Sequence, residues 1–336
     1  MGKTVLVTGG TGFVAGWCIV ELLRQGYSVR ATIRNPARRD LVHRAVSSQI
    51  VPGDRLTFAV ADLTANDGWE AAMAGCEHVL HIASPLGREA PKDRDALLAA
   101  AHDGTLRVLK AAVAAGVQRI VMTSAAATAR QRGSQGVSNE TIWADPDDPR
   151  LDPYRRSKIL AERAAWNHMA GVSGPSSLTT ILPGAVFGPL LPATEPGSVW
   201  VIGNLLQGRP PRLINLGLSV VDVRDLAAAH VAALTAPAAP GKRFLVTGTF
   251  LWMAEIASIL RNGLGDAADK VPQRVLPNAL VRLLALWMPQ LRMFRHDLGQ
   301  RRDVDNSKAK RVLGLVPRPV EETLLDCARS ILATPR

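Results

Sequence analysis

Cysteine is scarce in this chain of 336 residues. The three cysteines, Cys18, Cys76 and Cys327, lie far apart, and none belongs to a Cys-x-x-Cys pair. A disulfide framework needs more cysteines in a shorter chain, and a structural zinc site needs ligand pairs at short spacing. The sequence therefore indicates neither, and we expect no metal ion. Unpaired thiols fit a reducing compartment, so we expect a cytoplasmic protein.

Long apolar runs are also missing. An apolar strand begins at Thr4, which leaves no room for a secretory leader. The most apolar late stretch, 279–288, is short and contains Arg282, whereas a membrane span needs about 20 apolar residues. We interpret this stretch as a buried or half-buried helix, with a membrane contact as the alternative, and we expect no membrane partner.

Acidic residues are outnumbered, with 29 Asp and Glu against 40 Lys and Arg and a formal charge of +11. Such a charge favours an anionic partner: a nucleic acid, an anionic membrane or a phosphorylated cofactor. The basic stretch 292–311 also contains Asp297, Asp303 and Asp305, and it lacks the interleaved aromatic residues of a nucleic-acid site. We interpret it as a solvated face and expect no nucleic-acid partner.

Short apolar runs alternate with helical patterns through the first half of the chain. Strands are predicted over 4–8, 28–33, 56–61, 77–82, 118–123 and 178–182, and helices over 13–25, 95–115 and 154–169. This alternation predicts an α/β fold with a doubly wound, Rossmann-type parallel sheet. After Gly188 prolines interrupt the chain, and helices are predicted over 224–234, 252–262, 278–287 and 320–332. We predict a nucleotide-binding domain over 1–188 and a smaller substrate lobe over 189–336, with segments around 220–250 returning to the first domain.

A glycine-rich string, Thr8-Gly9-Gly10-Thr11-Gly12-Phe13-Val14-Ala15-Gly16, joins the first strand to the first helix. A dinucleotide needs its pyrophosphate close to backbone N–H groups at a helix N-terminus. Gly9 would allow the tight turn, Gly12 the close approach of the phosphates, and Ala15 close contact between helix and strand. We therefore predict that Thr8, Gly9, Gly12, Phe13 and Val14 bind a dinucleotide; an ordinary glycine turn is the alternative.

The residues at the end of the second strand distinguish an NAD site from an NADP site. An NAD site carries an acidic residue there, but this chain has Arg34, followed by Arg38 and Arg39. A guanidinium suits the 2′-phosphate of NADP, so the sequence favours NADP(H); solvent-exposed arginines are the alternative.

Two further strand ends complete the predicted cofactor site. Asp62 and Leu63 follow the third strand, where the carboxylate would accept a hydrogen bond from the adenine or would cap a turn. Ala83 and Ser84 follow the fourth strand, where small residues would admit the nicotinamide ribose.

Tyr154-Arg155-Arg156-Ser157-Lys158 is the second chemical motif. Asp152 is predicted to cap a helix and Pro153 to lie in its first turn, so the spacing of four places Tyr154 and Lys158 on one face. We expect the ammonium to lower the pKa of the phenol, which would donate a proton to a carbonyl oxygen as hydride reaches the carbon. Lys158 could also hold the nicotinamide ribose; a plain helix surface is the alternative.

With these motifs the chain resembles the extended short-chain dehydrogenase/reductases, in particular the dihydroflavonol reductase and cinnamoyl-CoA reductase branch with its bacterial aldehyde and ketone reductase relatives. The resemblance covers nearly the whole chain. It rests on VTGGTGFVAGWC, VRATIRNP, ADL, HIASP, RIVMTSAAAT, NETIW, YRRSK, ILPGAVFGP and VVDVRDLAAAHV. It implies NADP-dependent carbonyl reduction. It also implies that Pro183 and Val186 close over the nicotinamide, for which a plain loop is the alternative.

One position departs from the family pattern. The fifth strand of the family usually ends Thr-Ser-Ser, and the second serine is catalytic, but here the match is Thr123-Ser124-Ala125. Side chains alternate along a strand, so Ser124 would face away from the site unless the strand end turns. Ser124 is the predicted catalytic hydroxyl, Thr128 is a second candidate, and the absence of any hydroxyl partner is the third possibility.

The sequence thus predicts an NADPH-dependent carbonyl reductase or alcohol dehydrogenase for apolar aldehydes or ketones, monomeric or homodimeric. Leu190, Leu191 and Trp200 would give the pocket its apolar character, or would simply be core. The rivals are a nucleotide-sugar epimerase or 3β-hydroxysteroid dehydrogenase of the same fold, and a non-catalytic NADP-binding sensor.

Overall fold

The computed structural model describes residues 3–85, 93–130, 136–192, 194, 197–292 and 294–333. Strands follow one another along the chain as β1 (Thr4–Val7), β2 (Ser28–Ile33), β3 (Leu56–Val60), β4 (His78–His81), β5 (Arg119–Thr123), β6 (Ser177–Pro183), β7 (Ala185–Phe187), β8 (Gly217–Asp222), β9 (Lys242–Val246) and β10 (Phe250–Trp252). Seven of them form one sheet in the order β3-β2-β1-β4-β5-β6-β9, and every pairing is parallel. The order reverses between β1 and β4, where open α/β sheets bind their ligands. The predicted Rossmann-type sheet is confirmed.

The helices are α1 (Phe13–Arg24), α2 (Arg39–Ser47), α3 (Trp69–Met73), α4 (Arg94–Ala114), α5 (Pro153–Ala170), α6 (Trp200–Leu206), α7 (Val223–Thr235), α8 (Met253–Leu264), α9 (Asn278–Leu284), α10 (Pro289–Arg292), α11 (Ser307–Leu313) and α12 (Val320–Ala333). Helices α1, α2 and α7 share one core with the large sheet, and α3, α4 and α5 share the core on its other face. Helices α1 and α7 pack together, as do α4 and α5.

The strands are apolar on both faces because both are covered. In β1, Val5 and Val7 belong to the core beneath α1 and α7, whereas Leu6 belongs to the core beneath α4. All three side chains are fully buried. Alternation along the strand therefore supplies two cores from one apolar run.

Strands β7, β8 and β10 form a second, smaller sheet. Strand β8 pairs parallel with β7 and antiparallel with β10. Strand β9 instead pairs with β6 at the edge of the large sheet. The return of residues around 220–250 to the first domain, as a statement about domains, stays a prediction. The proposed domain boundary after residue 188 stays a prediction.

Helix α9 is shorter than predicted. It ends at Leu284, and turns follow to Trp287. Val281 and Ala285 are buried, whereas Leu283, Leu286 and Trp287 are exposed, so the predicted helix is only half-buried. Throughout the described ranges, no helix combines the length and apolarity that crossing a bilayer requires.

Candidate active site

The turn between β1 and α1 contains glycines at positions where a side chain would be crowded. Gly9 has a φ of +74°, which favours glycine, and a Cβ on it would lie 3.1 Å from the Cβ of Ala83. A Cβ on Gly12 would lie 3.2 Å from the carbonyl oxygen of Gly9. The Gly9 N–H donates to Thr32 Oγ1 at 3.0 Å, which ties the turn to β2. The turn thus exposes backbone where the sequence predicts phosphates.

The first turn of α1 favours an anion. Gly12 is its N-cap and offers no capping side chain, and the turn contains no acidic residue. Phe13 and Ala15 are buried, and Val14 is half-buried, so their side chains anchor the helix to the sheet. The N–H groups and the positive end of the helix dipole therefore remain available to a negative group.

Thr8 and His81 connect the ends of β1 and β4. The Oγ1 of Thr8 accepts hydrogen bonds from the N–H groups of Ile82 (3.0 Å) and Ala83 (2.9 Å), and it lies 3.1 Å from His81 Nδ1. Because the oxygen already accepts twice, its one proton is donated to Nδ1, and His81 carries its own proton on Nε2. Burial and then the charge of Lys158 lower the pKa of His81 to about 3, so the ring is neutral. The sequence analysis missed His81, although it directly precedes the predicted Ala83 region.

Arg34 at the end of β2 and Asp62 after β3 lie close enough for their charges to interact. Burial raises the pKa of Asp62, but hydrogen bonds from Thr64 and the charges of Arg34 and Arg107 outweigh it, so the pKa lies below its usual range. The Thr64 N–H and hydroxyl both donate to Asp62 Oδ1 at 2.8 Å. Asp62 therefore caps a turn, which was the alternative interpretation, and its role towards adenine stays a prediction. The carbonyl of the adjacent Leu63 accepts from the Arg107 guanidinium.

Arg34 and the two arginines that follow it, Arg38 and Arg39, are exposed. Arg38 ends a short 3₁₀ turn that begins with the Asn35 side chain accepting from the Ala37 N–H at 2.9 Å. The Arg39 guanidinium lies 5.8 Å from the ring centre of Phe58. Arg39 thus has a cation–π partner on β3.

Tyr154 and Lys158 occupy the first turns of α5, as predicted. Asp152 is the N-cap and accepts from the Arg155 N–H at 2.9 Å, and Pro153 is the first helical residue. Tyr154 is 39% exposed, whereas Lys158 is buried and its Nζ lies 3.5 Å from the carbonyl oxygen of Thr123 at the end of β5. The spacing of four residues places both on one side of the helix.

The pKa values of this pair differ from the expectation. Desolvation by the surrounding protein, followed by the charge of Asp152, raises the pKa of Tyr154 to about 12, against a lowering by Arg155. The expected lowering by Lys158 is therefore wrong. Burial lowers the pKa of Lys158 to about 8, although the charge of Glu162 raises it. At neutral pH the phenol keeps its proton and most of the lysine is charged.

Ser124 takes part in a buried network around Glu162, which is fully buried one turn after Lys158. The Ser124 hydroxyl donates to Glu162 Oε2 at 2.7 Å, and the Thr180 hydroxyl donates to Oε1 at 2.8 Å. Arg243 donates to both carboxylate oxygens, at 2.9 and 3.4 Å. Glu162 thus connects α5 to β6, to β9 and to the residue that follows β5, and no motif marked it in the sequence.

Thr128, the second candidate hydroxyl, belongs to the same network. It donates to the carbonyl oxygen of Ala125 at 2.9 Å and accepts from Arg243 Nη2 at 3.0 Å. Ala125 is extended and buried. The only protons of the Ser124 and Thr128 hydroxyls are therefore directed at protein acceptors.

Pro183 and Val186 lie where the two sheets meet. Pro183 ends β6, Val186 lies in β7, and both are buried. A Cβ on the intervening Gly184 would lie 2.1 Å from the Ser219 carbonyl oxygen, so only glycine fits between them.

The three residues suggested for an apolar pocket do not share one environment. Leu191 belongs to the core, Leu190 packs partly buried against it, and Trp200 is exposed. The expectation that Leu191 is simply core is confirmed.

Comparison with known proteins agrees with this geometry. Residues 5–247 match the model of the NAD dependent epimerase/dehydratase family. Cinnamoyl-CoA reductase 1 of Petunia hybrida is 36% identical over 264 residues, which cover 77% of each chain. Dihydroflavonol 4-reductase of Dianthus caryophyllus is 32% identical over 269 residues, which cover 77% of this chain and 73% of the relative.

Solved structures show the same fold. Gre2 of Candida albicans in complex with NADPH superposes with a TM-score of 0.82 at 25% identity, over 99% of this chain and 100% of that one. The extent of the family match, the two reductase relatives and this superposition confirm the resemblance inferred from the motifs. The chain belongs to the NAD dependent epimerase/dehydratase family, that is, to the extended short-chain dehydrogenase/reductases.

Proposed function

We propose that the protein is an NADPH-dependent carbonyl reductase, or alcohol dehydrogenase in reverse, for apolar aldehydes or ketones. The observation that carries the proposal is the placement of a protonated Tyr154 and a buried Lys158 at the start of α5, beside the end of β5. The glycine turn that opens α1 lies at the same carboxyl edge of the sheet. The similarity of the chain to a cinnamoyl-CoA reductase and a dihydroflavonol 4-reductase supports carbonyl chemistry.

The residues at this edge fit a dinucleotide with a 2′-phosphate. The glycine turn disfavours Cβ atoms and the first turn of α1 has no acid, which suits a pyrophosphate. Although the family is described as NAD dependent, the end of β2 presents Arg34 where an NAD site needs a carboxylate. The holding residues would be Thr8, Gly9, Gly12, Phe13 and Val14 for the pyrophosphate, Arg34 for the 2′-phosphate, Asp62 and Leu63 for adenine, and Ala83, Ser84, Lys158, Pro183 and Val186 for the nicotinamide half.

When bound, NADPH supplies the hydride. Tyr154 donates the proton to the carbonyl oxygen, and its raised pKa keeps it protonated at neutral pH. The remaining phenolate needs a nearby cation, and Lys158 lies one helical turn away. The buried ammonium also suits the ribose hydroxyls.

We assign Ser124 the role of a positioning residue, which acts on Lys158 through Glu162. Its hydroxyl is bonded to Glu162, whose charge raises the pKa of Lys158 and so keeps the ammonium charged. A direct role for Ser124 at the substrate carbonyl would require this bond to be exchanged.

The experiment is a screen of NADPH and NADH consumption across aldehydes, ketones and their alcohols. We expect turnover with at least one apolar carbonyl and a preference for NADPH. NAD that stays bound through purification, together with sugar epimerisation, would favour the epimerase. NADPH binding without turnover of any carbonyl or alcohol, steroids included, would favour the sensor.

A further inference from the structure

The surface formed by α9 and the residues that follow it exposes five large apolar side chains within nine positions. Leu286 is 59% exposed and Trp287 is 69% exposed, and Leu280, Leu283 and Met288 are also exposed. Monomeric proteins seldom expose such contiguous apolar area unless it contacts another molecule. We call residues 280–288 the apolar face.

The buried residues of this segment determine which of its side chains face away from the core. Val281 and Ala285, four residues apart, are buried and anchor one side of the helix. Leu280 and Leu283, three residues apart, lie on the opposite side of the helix, and Leu286 and Trp287 follow in the turns after its end. These side chains are therefore presented to the surroundings by a fixed element.

The apolar face lies within a purely cationic segment. Residues 270–296 contain five Lys and Arg and no Asp or Glu. Arg282 is exposed within the face. The Arg292 guanidinium donates to the carbonyl oxygens of Ala285 (3.0 Å) and Leu286 (2.7 Å), which holds a positive charge directly against the face.

This combination fits a lipid surface better than a second copy of the chain. A membrane interface accepts Leu, Trp and Met below the headgroups and Arg beside anionic phosphates. A twofold interface would bring the same patch together from both copies and oppose Arg282 and Arg292 with like charges. Charge complementarity therefore selects an anionic lipid surface as the occupant.

We propose that the apolar face and its flanking arginines form a peripheral contact with anionic membranes. The expectation of no membrane partner rested on the lack of a spanning segment, and a surface contact needs none. The inference stands independently of the proposed reductase activity.

Vesicle co-flotation tests the proposal, with vesicles of phosphatidylcholine alone and of phosphatidylcholine with phosphatidylglycerol. We expect the full chain to float with the anionic vesicles, less so at high salt. Arg282→Glu should weaken this binding about tenfold or more, since each basic residue near the surface contributes about fivefold. The double variant Leu283→Ser, Trp287→Ser should abolish it.

Matched controls are Val51→Ser and Arg24→Glu, which change an exposed apolar residue and an exposed arginine elsewhere and should leave flotation unchanged. Thermal melts of every variant establish folding. Equal binding to neutral vesicles, no binding, or loss of binding in the controls would overturn the proposal. It would also be overturned if light scattering without vesicles showed a dimer that the double variant dissociates, since the face would then bind a second copy.

Discussion

Ser124→Ala decides whether the serine before Ala125 touches substrate or holds the site together. The hydroxyl is buried and donates to the fully buried Glu162 carboxylate at 2.7 Å. A hydrogen bond to a charged group contributes about 1.5–3 kcal/mol, so we expect the variant to lose about 2 kcal/mol of unfolding free energy. Because the substrate does not receive this proton in our proposal, kcat should fall by less than about tenfold.

The assay pairs denaturant unfolding with turnover at saturating NADPH. Thr128→Ala is the matched control, because it removes a second hydroxyl from the same network, one that accepts from Arg243 rather than donating to Glu162. A loss of about 100-fold or more in kcat for Ser124→Ala, with stability unchanged, would refute the positioning role, since that is the scale of a lost transition-state donor.

Ala125→Ser tests whether position 125 faces the substrate carbonyl. If position 125 faces the carbonyl, as the family register implies, the new hydroxyl supplies the missing donor. We then expect kcat to rise by about tenfold, which corresponds to about 1.4 kcal/mol. An unchanged or reduced kcat in a folded variant would show that the register does not carry over to this chain.

Three further predictions concern the cofactor, the proton donor and acid stability. Arg34→Asp should shift the NADPH/NADH preference towards NADH by about tenfold or more, measured as the ratio of kcat/KM values; an unchanged ratio would exclude Arg34 as the 2′-phosphate ligand. Tyr154→Phe should bind NADPH normally but lose about 100-fold or more in turnover, and a variant that keeps a tenth of the activity would point to another acid. The neutral, buried His81 has a folded pKa of about 3, below its unfolded value of 6.5, so stability should fall as pH falls below 6.5. His81→Asn should reduce the loss between pH 7 and pH 4 by about 3 kcal/mol in unfolding titrations, and an unaltered slope would mean that His81 is not the titrating group.

Local pattern was sufficient to predict six of the seven strands of the central sheet. Strand β2 was predicted with its observed bounds, and the N-cap Asp152 and first-turn Pro153 were recognised before α5. These features depend on neighbours in the sequence. Strands β7, β8, β9 and β10 were missed, because the regular alternation of strand and helix ends before them and their pairing is set by contacts between distant parts of the chain.

In the candidate site, too, local sequence predicted some features and contacts between distant residues set the others. Spacing identified Tyr154 and Lys158, but the environment set the pKa of Tyr154, which burial raises rather than lowers. Glu162 and Arg243 are 81 residues apart, and their ion pair forms only when β9 joins β6 at the edge of the sheet. No local motif encodes such a pair, so the partner of Ser124 could be found only from the folded chain.

The most direct test of the central claim follows the hydride itself. NADPH labelled with deuterium at the transferred position would be incubated with the enzyme and a carbonyl from the screen, and the product would be examined by mass spectrometry and NMR. We predict one deuterium on the carbinol carbon for each NADPH oxidised, and none with Tyr154→Phe on the same timescale. NADPH oxidation without label in the alcohol, or no oxidation with any carbonyl, would contradict the assignment as a carbonyl reductase.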